Sequence, residues 1–300
     1  MTAEFEAAGH RVTGTSTAGG ETLVALDLSR PQQVEQALSA TRPDVLVHLA
    51  GIQSIPLSWQ DPSTVLAVNT GGTAALLRAM ESSSPRTHLL LASTAAVYGM
   101  PSSAGAEYGG RAKPFEESDP VAPESPYGAS KAAAEVLVGE SAARTGLPVT
   151  VARLFNQFGP DQPESQLPAS LAASIAAAEA EGKDAVELEV GNPGARRDYT
   201  DTREAARALR LLAEGRITGT FNCCHGQTEP LSRLVEGLSQ ASRIEARIDH
   251  RPERANRNDV AEIAGSPARL EAATGWKPRF SLDETLTEML EFRRRALRGN

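Results

Sequence analysis

Cysteine is nearly absent from this 300-residue chain: only the adjacent pair Cys223–Cys224 occurs. Neighbours on a strand point to opposite faces, and "GTFNCCHG" reads as a strand. A structural zinc site needs spaced pairs of ligands, so a metal centre is not expected there and the two thiols are read as core residues. Long apolar runs are missing too. No window approaches 18 consecutive apolar residues, which excludes a transmembrane helix. No charged stretch leading into an apolar one opens the chain, so secretion gains no support and the cytosol is expected. Positive charge is in deficit, with a net charge of −8 and a pI near 5.3, and nucleic acid is therefore not the expected partner. Lysine is the scarcest charge: four (Lys113, Lys131, Lys183, Lys277) against 26 arginines. Tyrosine is equally rare at four. A lysine and a tyrosine at a suggestive spacing therefore carry information.

What is present is an alternation. "TLVALDL" (22–28), "DVLVHLAG" (44–51), "THLLLAST" (87–94) and "PVTVARLF" (148–155) read as strands, and the last three are apolar enough to be covered on both faces. Between them lie helical stretches at 30–42, 61–83 and 125–145. Strand–helix–strand alternation with short connections defines an α/β fold, a doubly wound parallel sheet. After residue 156 the texture changes. "NQFGPDQPESQLPAS" is rich in Pro, Gln and Ser, and shorter elements follow, with helices expected near 167–181, 202–214, 229–240 and 281–297. Residues 1–155 are expected to form a dinucleotide-binding domain to which the chain returns near 196–223. Residues 156–195 and 224–300 are expected to form a smaller α/β substrate domain.

"SPYGASK" (125–131) carries the strongest chemical signal. Tyr127 and Lys131 lie four apart on a helix that Pro126 helps to start. A free phenol titrates near 10. A cation about 4 Å away at an effective dielectric of about 20 is worth roughly 4 kcal/mol, or about three pKa units. That predicts a phenol brought toward working pH, fit for proton transfer. "LLLAST" ends in Ser93 and Thr94, at the strand end where ligands lie in such folds. A hydroxyl there can bond the substrate oxygen that Tyr127 protonates, although a turn cap is the commoner role for a lone threonine. Arginines concentrate in "ARRDYTDTRE" and "RPERANR", where bidentate guanidinium groups suit a diphosphate; a solvated charge face is the alternative.

In chain order, "VHLAG", "VNTGGT", "STAAVYG", "SPYGASK", "ARLFNQFGP", "GARRDYTD", "FNCCHG" and "ATGWKP" resemble the extended short-chain dehydrogenase/reductase family, the NAD(P)-dependent nucleotide-sugar epimerases, dehydratases and reductases. The likeness runs from residue 11 to the C-terminus. It implies Tyr127 as proton donor, Lys131 as the group that lowers its pKa and holds the nicotinamide ribose, and Thr94 on the substrate oxygen. Leu49, Ala50 and Gly51 would line the nicotinamide crevice, Asp27 would approach the adenine, and Asn69 would support the helix beside the site. Ser93 and Asn156 would touch the sugar nucleotide. Arg197 and one of Arg251 or Arg257 would meet its diphosphate. A homodimer is implied by the resemblance alone.

Dehydratases of the family carry an acid two positions after the catalytic Ser/Thr; here that residue is Ala96, preceded by Ala95. Alanine moves no proton, so hydride transfer at C4 remains. The run "VGNPGARRDYTDTRE" is most similar to 4-ketoreductases of GDP-linked 4-keto-6-deoxyhexoses, with a nucleotide-sugar 4-epimerase as the alternative. "TSTAGG" offers neither the acid typical of NAD-users nor a cation; NADP is slightly favoured over NAD. The opening "MTAEFEAAGHRVTGTS" reads as the back half of a helix and then a strand, whereas the family places a first strand and a G-x-x-G-x-x-G turn ahead of such a helix. The expectation is a misassigned start, with roughly 15–20 further residues of strand and turn. The sheet as written should then have two strands lacking a neighbour, at a cost of about 1–3 kcal/mol per buried unpaired group. A truncated, non-catalytic nucleotide-sugar-binding protein is the rival reading.

Overall fold

"HLLLAST", one of the apolar runs of the chain, takes an inner place in the sheet. The computed structural model describes residues 1–21, 23–99, 113–254 and 262–299. The chain begins with a short helix α1 (Thr2–Ala7), then strands β1 (Gly14–Ser16) and β2 (Leu23–Ala25), helix α2 (Pro31–Thr41) and strand β3 (Val45–His48). Helices α3 (Ile55–Gln60) and α4 (Pro62–Leu66) lead through a π-helical turn, Ala67–Gly71, into α5 (Gly72–Ser83). Strand β4 (His88–Thr94), helix α6 (Pro126–Thr145) and strand β5 (Val149–Leu154) follow.

The remainder comprises β6 (Asn156–Phe158), α7 (Leu167–Ala180), β7 (Ala185–Val190), β8 (Arg196–Asp201), α8 (Thr202–Glu214) and β9 (Gly219–Cys223). After these come β10 (Thr228–Pro230), α9 (Leu231–Ala241), β11 (Glu245–His250), β12 (Glu262–Ile263), α10 (Ala268–Thr274) and α11 (Leu282–Leu297).

Four strands form a parallel sheet in the order β3-β4-β5-β9. Helices cover both faces. One face carries Leu89, Leu91, Val149 and Val151 against α2, α5 and α6; the other carries Leu90, Ala152 and Phe221 against α8 and Trp276. This is the doubly wound α/β arrangement expected from the alternation. A second core lies beyond it, where α7, α9 and α11 pack on the parallel pair β7–β11 around Ile175, Leu234 and Met289. A small sheet joins β10, β8 and β12, with β6 on the flank of β8. Among the described residues no helix is long and apolar enough to cross a membrane.

The sheet is in two pieces. Among the described residues β1 pairs only with β2, and β3 only with β4. Two unpaired edges were expected as buried, costly groups; the structure leaves them open instead. Gly14 and Ser16 of β1 are half-buried and Thr15 is exposed, and Val45 to Val47 are only half-buried. Backbone groups that meet solvent escape the penalty for burial without a partner.

The candidate active site

Two elements build the reacting corner. Strand β4 ends at Thr94, and its chain turns through a short 3₁₀ segment, Ala95–Val97. Helix α6 starts beside it, capped by the Ser125 hydroxyl, which accepts the Gly128 N–H, with Pro126 at its first position. Gly128 allows the approach: a Cβ there would lie 2.5 Å from the Ala96 carbonyl oxygen and 3.0 Å from Pro123. The turn after β4 therefore rests directly on the first turn of α6. Thr94 serves both roles its residue type suggests. Its Oγ1 accepts the Ala96 N–H at 3.2 Å, and its hydroxyl is hydrogen-bonded to the buried Tyr127 phenol.

The electrostatics differ from the sequence expectation. Burial raises the Tyr127 pKa, and the Thr94 hydrogen bond opposes this only in part. The expected acidification by Lys131 is absent because that ammonium is engaged elsewhere: Nζ donates to the Ala92 carbonyl on β4 at 2.9 Å. Lys131 carries the larger perturbation. Burial pulls it down to about 8, with the Glu135 carboxylate working against the fall. Tyr127 is thus held as a neutral proton donor.

The loop after β3 forms a shelf beside Lys131. Asn69 clamps it, accepting the Ile52 N–H at 2.7 Å and donating to the Ile52 carbonyl at 2.9 Å and to Ser130 Oγ at 2.9 Å. Ser130 Oγ in turn donates to the Tyr127 carbonyl. Asn69 lies in the π-helical turn, a local irregularity that recurs at functional sites. A Cβ on Gly51 would meet Asn69 Oδ1 at 2.8 Å and Lys131 Nζ at 3.4 Å. The missing side chain at Gly51 thus lets Asn69 and Lys131 close on the loop beside the exposed Leu49, and these residues fit the nicotinamide end of NAD(P). No glycine-rich turn opening a helix stands beside the shelf among the described residues. His48, which closes β3, is buried with Nε2 3.0 Å from Thr73 Oγ1. Burial, then the Lys131 charge, pushes its pKa down to about 4.

Thr94, Tyr127, Lys131, Gly51 and Asn69 therefore come together. Other residues do not join them. Ser93 needs a correction: its hydroxyl donates to Glu135 in the buried layer, because adjacent strand residues face opposite ways and Thr94 takes the cleft side. Asp27 accepts the Ser29 N–H and hydroxyl within its own turn, bonds that lower its pKa. Arg251 bonds to Asp249 at 2.7 Å. Asn156 is exposed at the start of β6 and pairs with Tyr199 of β8; Arg197 stands two positions before Tyr199 on that strand. Arg257 lies outside the described residues. Cys223 and Cys224 are buried free thiols, Cys223 raised to about 12 by burial.

Sequence reading missed the charges behind the site. Arg153 of β5 is buried and forms a bidentate pair with Glu135 of α6, Nη2 to Oε2 at 2.7 Å. The signal was available: a lone arginine in the apolar run "PVTVARLF" needs a buried partner.

A doubly wound parallel sheet with Tyr and Lys one helical turn apart, over a strand-end threonine, defines the NAD(P)-dependent short-chain dehydrogenase/reductase class. The family model described as GDP-mannose 4,6 dehydratase matches residues 10–289, and the chain belongs to that family. It is 36% identical over 249 residues to GDP-6-deoxy-D-mannose reductase of Pseudomonas aeruginosa, covering 83% of this chain and 79% of that protein. It is 27% identical to GDP-6-deoxy-D-talose 4-dehydrogenase of Aggregatibacter actinomycetemcomitans, covering 89% and 86%. Among solved structures, RMD from Pseudomonas aeruginosa complexed with NADPH superposes with a TM-score of 0.81 at 32% identity, covering 93% of each chain. Thermus thermophilus UDP-glucose 4-epimerase in complex with NAD gives a TM-score of 0.81 at 25% identity, covering 98% of this chain and 94% of that one.

Proposed function

We propose that the chain is an NAD(P)-dependent oxidoreductase acting at C4 of a nucleotide-linked sugar, a 4-ketoreductase of a GDP-4-keto-6-deoxyhexose. One observation carries this reading: a neutral buried phenol is hydrogen-bonded to Thr94, one turn from Lys131, and the positions after Thr94 are Ala95 and Ala96. Thr94 and Tyr127 would grip the C4 carbonyl oxygen from two sides. When bound, the dihydronicotinamide supplies a hydride to C4. Tyr127 gives its proton to the oxygen, so ketone becomes alcohol and the phenol is left as phenolate beside a cation. Lys131 would hold the nicotinamide ribose, and Leu49, Ala50 and Gly51 would pack on the ring. Without an acid at 95 or 96, no group there moves protons at C5, which disfavours dehydration despite the family's title activity.

Further out, Asn156 and Arg197, with Arg251 or Arg257, are assigned to the sugar nucleotide, and Asp27 to the adenine side. Residues 1–155 with the 196–223 crossing are assigned to cofactor, and 156–195 with 224–300 to substrate. NADP is favoured over NAD. A homodimer through the helices flanking the site accords with Val136, 63% exposed on α6. A cytosolic location accords with two unpaired thiols.

The test is to mix the purified chain with NADPH and GDP-4-keto-6-deoxymannose. Consumption of NADPH with formation of a GDP-6-deoxyhexose is expected. Interconversion of C4 epimers without net NADPH use identifies the epimerase instead. A folded chain that binds the nucleotide sugar but neither binds nor consumes NADPH overturns the enzymatic reading in favour of the binding protein.

A further inference from the structure

Two buried histidines make the same pairing at opposite ends of the central sheet. His88 opens β4, with Nε2 2.8 Å from Thr150 Oγ1, and the Thr150 hydroxyl donates to the Ile217 carbonyl. His48 closes β3, with Nε2 3.0 Å from Thr73 Oγ1, and the Thr73 hydroxyl donates to the Asn69 carbonyl at 2.6 Å. A threonine hydroxyl has one proton to give. In both pairs that proton goes to a carbonyl, so the histidine Nε2 must be the donor to the threonine oxygen. The rings are therefore fixed with hydrogen on Nε2.

What each threonine holds is different. The Ile217 carbonyl belongs to the connection ahead of β9. The Asn69 carbonyl belongs to the π-helical turn Ala67–Gly71, where the chain departs from the regular α-helical ladder. Thr73 stands four residues on, in the first turn of α5, and its hydroxyl closes on that carbonyl. The Asn69 side chain then holds both backbone groups of Ile52 and donates to Ser130 Oγ, which donates to the Tyr127 carbonyl. His48, Thr73, Asn69 and Ser130 are all buried. An unbroken series of hydrogen bonds thus runs from the end of β3, through the turn, to the loop after β3 and the first turn of α6.

We infer that His48 and Thr73 are positioning residues: the imidazole N–H fixes the Thr73 hydroxyl, which fixes the turn that presents Asn69 to the loop of residues 49–52. The ligand of that loop, the nicotinamide end of the cofactor, rests on the ketoreductase reading. The arrangement itself is measurable in the free protein. The chain has five histidines, so ring ¹⁵N spectra are simple, and loss of one signal pair in His48→Gln assigns His48. At pH 7.5 this ring is expected neutral with its proton on Nε2. Exchange of the Ile52 amide hydrogen, which Asn69 holds, should quicken in Thr73→Val and in His48→Leu by about tenfold, the scale of one lost hydrogen bond. His48→Gln, whose amide can donate to Thr73, should restore most of the protection. His88→Leu breaks the matching pair at the far end of the sheet and should leave Ile52 exchange at the wild-type rate. In the reductase assay the KM for NADPH should rise in Thr73→Val by more than kcat falls. A proton found on Nδ1 of His48 in the wild type overturns the inference, even if a variant fails to fold. So does unchanged Ile52 exchange in folded Thr73→Val, or an equal gain in His88→Leu. Tautomer and exchange need neither substrate nor cofactor, so they succeed or fail separately from the ketoreductase assay.

Discussion

β4 and β2 are both short apolar strands in one chain, yet β4 is buried in every residue but its last while β2 is exposed throughout. β4 has a ladder on each side, from β3 and β5, and helices on both faces. β2 has β1 alone. Hydrophobicity makes both segments strands; neighbours decide which becomes core. The chemistry follows the difference. Thr94, the Ala92 carbonyl that anchors Lys131, and Arg153, which pairs with Glu135 of α6, all hang on β4 and β5, whereas Asp27 follows the exposed strand. The reacting corner is built on the firm half of the sheet, and the shelf of residues 49–51 lies at the border.

Four measurements would break or sharpen that contrast. The largest effect belongs to the firm half: Tyr127→Phe should lower kcat by about 10²–10⁴-fold with circular dichroism unchanged. A collapse of the fold instead would make the phenol a structural group. Next, Leu90→Ala in β4 should cost about 2–5 kcal/mol in urea unfolding, since Leu90 is fully buried. Third comes the border residue His48. Its folded pKa is about 4 against 6.5, so the unfolded state binds the proton first. Stability should be full above pH 6.5 and fall as pH drops toward 4, by on the order of 3 kcal/mol. His48→Gln should flatten that acid limb. Smallest is Val24→Ala in β2, expected within about 0.5 kcal/mol of wild type. Equal costs for Leu90→Ala and Val24→Ala would erase the distinction between the halves.

Much of this was legible in the residues. The alternation of apolar runs and helices gave the parallel sheet, and α6 was readable from Ser125–Pro126 to the glycine after Thr145. The Tyr127–Lys131 spacing and the strand-end Thr94 announced the corner where they meet. Two things were not legible, each for a physical reason, and one was legible but misread. The sign of the Tyr127 shift depends on burial and on where Lys131 spends its hydrogen bond, both set by tertiary contacts. Ser93 was assigned to the wrong face, though strand alternation alone would have separated it from Thr94. Helix α3 is only six residues long and starts with Ile-Pro, too short for periodicity to declare itself. The unpaired edges illustrate the same limit: pairing can be counted from sequence, but whether an edge is wet cannot.

The stretch Ala67–Gly71 has one further implication. A wide turn is a helix carrying one surplus residue, so removing any single residue from it would let α4 and α5 run on as an ordinary α-helix. The wide turn absorbs that residue locally, so the flanking helices would keep nearly their present register while the side chains within the stretch shift around the axis. Asn69 would then point past the Ile52 backbone rather than at it. A one-codon deletion, harmless to helical content, would be expected to unlatch the loop after β3 that Asn69 holds.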